Sequence, residues 1–125
     1  MTKKYHHYKK SFSFAKRGLQ KVWREEANFR LEFIIAILVI ALAIFLKLSL
    51  DRLAVIILAC GAVLALELFN TMIEFVSDLL KPRLNHYVQH IKDIAAAAVL
   101  VASLTAIAIG ALILVPPLWR LIWQV

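Results

Sequence analysis

Residues Leu53 to Asp78 read LAVIILACGAVLALELFNTMIEFVSD. The run from Leu53 to Leu66 holds no charged side chain, and it is followed by Glu67, Asn70, Glu74 and Asp78 at offsets 0, 3, 7 and 11. At about 100° per residue the three carboxylates fall within about 40° of one another on a helix, with Asn70 about 60° to the side. An apolar span thus ends in one acidic stripe. Charged groups are costly in and near a bilayer and persist mostly where they pair, bind ions or line an aqueous site, so the stripe marks a functional site.

The composition agrees with a membrane protein. The chain has 125 residues, enough for one domain, and is 62% hydrophobic with only 18% charged residues, well outside the range of soluble domains. Cys60 is the single cysteine. It excludes an internal disulfide and a cysteine-based metal site, and it reads as a small buried hydrophobe.

Upstream, Met1 to Arg24 is strongly basic and interleaves Tyr5, Tyr8, Phe12, Phe14 and Trp23 with its cations. Lys and Arg interrupt any apolar core of a signal peptide, so the N-terminus is expected to be retained. Phe12, Ala15, Leu19, Val22 and Trp23 recur at helical spacing, which predicts an amphipathic surface helix over about 8–26 lying on an anionic leaflet. A net charge of +7 also admits a basic arm for nucleic acid. No nucleic-acid motif accompanies it, and the cations abut a membrane span, so no nucleic-acid partner is expected.

Three spans follow, over about 29–48, 52–80 and 87–115. The first is the uncharged run Phe33 to Leu46, extended by a snorkelling Lys47. Lys47 to Arg52 turns the chain back into the second. Pro82 ends or kinks the second span, and the third, uncharged from Ile94 to Val115, is expected to stop at Pro116-Pro117. Ala98, Ala102, Ala106 and Gly110 form a small-residue stripe along it, suited to close helix packing within one subunit or between subunits. Of the Lys and Arg residues, 12 flank one side and 3 the other. The positive-inside rule therefore places the N-terminus and the Lys81 to Lys92 loop in the cytoplasm. Glu26, Glu74, Asp78, Lys92 and Asp93 then gather at the cytoplasmic boundary, with Glu67 about 10 Å deeper than Glu74.

Several carboxylates and an amide are hard oxygen donors suited to Mg²⁺, which neutralises nucleotide phosphates, and Lys92 supplies a point charge for the same phosphates. Glu67, the deepest acid, is the candidate base for a hydroxyl held at the membrane surface. The residues by themselves leave a second class open, since aligned intramembrane acids also bind transported cations or relay protons. No Gly-x-x-x-x-Gly-Lys-Ser/Thr loop and no soluble-kinase signature is present.

The order Glu26-Ala-Asn-Phe-Arg30, then Glu67-Leu-Phe-Asn70-Thr71-Met-Ile-Glu74-Phe-Val-Ser-Asp78, then Lys92-Asp93-Ile-Ala-Ala-Ala-Ala98-Val99 resembles the prokaryotic diacylglycerol kinase and undecaprenol kinase family, over roughly residues 11–110. The resemblance implies an all-α integral membrane fold, a surface helix plus three transmembrane helices, assembled as a homotrimer with sites shared between subunits. It implies a bacterial inner-membrane enzyme that moves the terminal phosphate of ATP, with Mg²⁺, onto a lipid hydroxyl. By motif position Glu67 is the general base and Glu26 and Glu74 hold the metal, with Asn70 in support. Glu26, Glu74, Asp78, Asn85, Lys92 and Asp93 meet ATP; Arg30, Glu32, Glu67 and Ala96 lie by the lipid.

This sequence departs from the family pattern where Asn85 replaces a loop His, His7 a basic residue and Phe14 an aromatic hydroxyl, all on the nucleotide side. Ala96 replaces a Ser found in diacylglycerol-specific members, which favours undecaprenol over diacylglycerol as substrate. Two peripheral residues also have plain structural readings: Asp78 as an i,i+3 partner of Lys81, and Thr71 as a backbone-bonded helix residue.

Overall fold

A computed structural model describes the backbone of residues 2–80 and 85–123, with side chains from 8 to 80 and 86 to 123. It contains four helices: α1 (Thr2–Glu25), α2 (Ala27–Phe45), α3 (Leu50–Leu80) and α4 (Asn85–Trp123). The last three are long and apolar enough to cross a membrane. Their outward faces carry exposed Leu, Ile, Phe and Val, as expected of helices surrounded by hydrocarbon.

What holds the three spans together is a thin seam. On α3 the buried residues are Ile56, Val63, Glu67, Thr71 and Ser77; the first four fall within about 80° of one another around the helix. The acidic stripe is therefore a continuation of the packing face. At the far end of the bundle Ile56 meets Ala43 of α2 and Leu114 of α4. Toward the Glu67 end the seam becomes polar, with Val22, Phe29 and Val88 as its buried apolar residues.

The α2–α3 turn is closed by a double hydrogen bond. Lys47 N–H donates to Ile44 O at 2.9 Å and Leu48 N–H to Ala43 O at 3.2 Å, the Schellman pattern, with Lys47 in the left-handed region at φ 52°. Leu48 then packs back onto the Ala43 cluster. Helix α2 consequently stops at Phe45, three residues before the end expected from hydropathy, because the backbone cap and not the loss of apolar residues terminates it.

A larger correction concerns Pro116-Pro117. Helix α4 runs through both prolines to Trp123, where the sequence predicted a stop. Proline's fixed φ suits a helix, and the loss falls on the carbonyls of Leu112 and Ile113, which lack their i+4 N–H partners. Near the end of a long span those two carbonyls can be hydrated. The turn beyond is regular enough to place Trp119 and Trp123 with ring centroids 5.4 Å apart.

Within this chain the Gly110 end of the small-residue stripe makes no close helix contact among the described residues. A Cβ on Gly110 would meet no atom within 4 Å. Gly110 and Ala106 instead border a cavity of about 330 Å³ between α2, α3 and α4, with Glu32 among its lining residues.

Candidate functional site

The geometry of the site begins at a corner. Helix α1 ends at Glu25 and α2 begins at Ala27, leaving Glu26 in an extended conformation, φ −106° and ψ 108°. No Gly or Pro forces this break. The corner is held by Arg30, whose Nη1 donates to Trp23 O at 2.8 Å and Arg24 O at 3.1 Å. A guanidinium on the terminal carbonyls of α1 satisfies orphan acceptors and opposes the helix dipole. The Trp23 ring meets Phe33 edge-on at 5.4 Å, and Lys21 Nζ lies 4.6 Å from the centre of the Phe75 ring on α3. The end of α1 is thereby fixed against both α2 and α3. Arg30, expected by the lipid, has this donor committed to the corner.

Helix α3 supplies the centre. Taking about 20 residues to cross hydrocarbon, a span starting at Leu50 leaves it near Phe69, so Glu67 stands at the hydrocarbon edge and Glu74 and Asp78 beyond it. Glu67 is only 3% exposed. The charges of Glu26 and Glu74 bear on it, and its own charge bears on Glu32 of α2. Glu67 thus lies within electrostatic reach of carboxylates from the corner, α2 and α3. Among the described residues no Lys, Arg or His forms an ion pair with any of them; the pair that forms is Lys92 Nζ with Asp78 Oδ1 at 3.3 Å.

Hydrogen bonding within the cluster is incomplete. Asn70 Nδ2 donates to Glu74 Oε1 at 3.2 Å, which orients that carboxylate. Asn70 Oδ1, Glu32 Oε2 and Thr71 Oγ1 are buried with no partner among the described residues. Buried polar atoms are nearly always satisfied, so these three oxygens have hydrogen-bonding capacity left for water, an ion or a ligand.

That donor set fits Mg²⁺. Among the described residues no three His, Cys, Asp or Glu side chains converge on one ion, and Mg²⁺ is commonly held by one or two carboxylates, with waters and substrate phosphates completing its octahedron. Glu74, oriented by Asn70, has the chemistry that such a site uses.

The remaining expected residues fall around this centre. Asp78 and Lys92 join α3 to α4; Lys81, the other partner expected for Asp78, is outside the described residues. Asp93 accepts from Gln89 Nε2 at 2.8 Å. Ala96 is exposed on α4. The side chains of Asn85 and His7 lie outside the described residues. Phe14 is under the guanidinium of Arg17, 4.8 Å from centroid to Cζ. Thr71, read as bonding its own helix, makes no such bond. Its place at offset 4 from Glu67 was a visible signal that it shares the acidic face.

The architecture defines a class: a three-span helical membrane protein with a carboxylate cluster at the hydrocarbon edge of its central span. The chain belongs to the prokaryotic diacylglycerol kinase family, whose model matches residues 13–114. It is 38% identical over 112 residues to a diacylglycerol kinase of Synechocystis, covering 89% of this chain and 64% of that protein's length. It is 36% identical over 109 residues to the undecaprenol kinase of Bacillus subtilis, covering 87% of this chain and 89% of that protein. To the diacylglycerol kinase of Escherichia coli K12 it is 29% identical over 98 residues, 78% of this chain and 80% of that one. These names are those of lipid kinases, and a kinase takes a phosphoryl donor such as ATP.

Proposed function

We propose that this chain transfers the terminal phosphoryl group of ATP to the hydroxyl of a membrane lipid, with undecaprenol as its acceptor and diacylglycerol as the second candidate. The observation that carries this is the burial of Glu67 at the hydrocarbon edge, within electrostatic reach of Glu26, Glu32 and Glu74, with no cation paired to any of them among the described residues. A carboxylate at that depth stands at the level of a lipid headgroup hydroxyl, and it serves as the base that accepts the hydroxyl proton.

Phosphoryl transfer asks the protein mainly for positioning and charge neutralisation. Glu26 and Glu74, with Asn70, would hold Mg²⁺, which supplies neutralisation of the nucleotide phosphates. Lys92, together with Asp78 and Asp93, would meet the nucleotide. Glu32, Ala96 and Arg30 belong to the lipid side, Arg30 through the corner that it fixes. The reading places the N-terminus and the mouth of the site in the cytoplasm of a bacterium, and it includes a homotrimer in the inner membrane. Support for undecaprenol comes from Ala96 and from the Bacillus subtilis relative, matched over 89% of its length.

Membranes carrying this chain are given labelled ATP, Mg²⁺ and either undecaprenol or diacylglycerol, beside Glu67→Gln. Label should enter undecaprenol faster than diacylglycerol, and the variant should give no labelled lipid. Absence of label from both lipids, or equal labelling by the variant, refutes the kinase reading; faster labelling of diacylglycerol refutes the choice of acceptor.

A further inference from the structure

Two threonines in the spans treat their hydroxyls differently. Thr105 Oγ1 donates to Val101 O at 2.8 Å, the usual solution for a hydroxyl in an apolar helix. Thr71 is 2% exposed, and its Oγ1 has no partner among the described residues. It makes no bond to the carbonyl of Glu67, the corresponding i−4 acceptor. Leaving a buried hydroxyl unbonded is destabilising, so a hydroxyl kept free at this position calls for a partner other than the chain.

Its location says what that partner is. Thr71 is four residues after Glu67 and three before Glu74 on one face of α3, about 6 Å of rise from the first and about 4.5 Å from the second. Ionised carboxylates only accept hydrogen bonds, while a hydroxyl also donates. Asn70 already donates to Glu74. Thr71 is thus a spare donor whose height along α3 lies between the base and the carboxylate assigned to the metal.

We infer that the Thr71 hydroxyl donates a hydrogen bond to a non-bridging oxygen of the phosphoryl group as it moves from ATP to the lipid. In that step the bond from the terminal phosphorus to the ADP oxygen breaks, a bond from phosphorus to the lipid oxygen forms, and the hydroxyl proton passes to Glu67. Thr71 exchanges no atom. The inference rests on the kinase reading, and its test separates the two.

Thr71→Val removes the hydroxyl at constant shape, and Thr71→Ser keeps it. Both are compared with the unaltered chain in the same membranes for kcat, for KM of ATP and of lipid, and for thermal unfolding midpoint. The Val variant should lose about 100-fold in kcat, the scale for removing one donor to a developing oxyanion, with both KM values within about threefold. The Ser variant should keep kcat within about tenfold of the unaltered chain. The midpoint of the Val variant should equal or exceed that of the unaltered chain, because no native hydrogen bond is lost. A Val variant with full kcat overturns the inference, as does a loss confined to lipid KM or one accompanied by a lower midpoint. An unaltered chain that labels no lipid brings down the kinase reading and this inference together; an active one with an equally active Val variant brings down the inference alone.

Discussion

Replacing Arg30 by Gln tests how the corner at Glu26 is held. Its Nη1 makes two hydrogen bonds to the last carbonyls of α1, at 2.8 and 3.1 Å. Hydrogen bonds from a charged donor contribute about 1.5–3 kcal/mol when shielded, but both are exposed, so solvent screening brings the pair to about 1 kcal/mol. Helix α1 is also attached by the Trp23–Phe33 edge contact, Lys21 over Phe75 and the burial of Val22. Losing about 1 kcal/mol should raise the population of a detached α1 about fivefold. Cleavage by trypsin after Lys21 follows that population when opening is fast relative to cleavage. The assay is the rate of that cut in membranes, compared between the unaltered chain and Arg30→Gln. A fivefold faster cut is expected, together with a higher ATP requirement as Glu26 loses its fixed place. A cleavage rate within a factor of two of the unaltered chain refutes the account of the corner.

Three further outcomes follow from the packing. Lys47→Gly should raise stability by about 1 kcal/mol, since a non-glycine residue in the left-handed region costs about 1–2 kcal/mol and the Schellman hydrogen bonds remain; a lower unfolding midpoint in detergent would contradict this. Ile56→Ala removes the largest side chain at the far-end contact with Ala43 and Leu114 and should cost about 2–5 kcal/mol, read in the same denaturation experiment. Asp78→Asn breaks the pair with Lys92, whose two side chains are 60% and 30% exposed; stability should change by less than about 1 kcal/mol, while ATP KM should rise. A large fall in stability with unchanged KM would show that the pair fastens α3 to α4 and has no part in nucleotide binding.

Much of the molecule was legible without coordinates. Hydropathy located three spans because a 14-residue or longer uncharged run has few other uses, and the stripe of Glu67, Glu74 and Asp78 followed from the helical period. The prolines show where such reading stops. Pro116-Pro117 is a stop signal in an average helix, yet at the end of α4 the penalty reduces to two carbonyls that can be hydrated, and the helix continues. Lys47 is similar. Sequence offered a basic residue that can snorkel; the backbone uses it as a left-handed cap, a conformation that no side-chain preference of Lys announces.

Helical period and hydropathy are local quantities, and they determined that this chain has three helices long and apolar enough to cross a membrane, with three acids aligned at one end of the middle one. The tertiary structure alone decided that the aligned face is also the packing seam, so that Glu67 is buried within electrostatic reach of carboxylates from three segments while Asp78 is free to pair with Lys92. It also decided that Arg30 caps α1 and that Thr71 keeps its hydroxyl unbonded. Those facts depend on which groups meet across helices, distances set by the fold as a whole and not by any window of sequence.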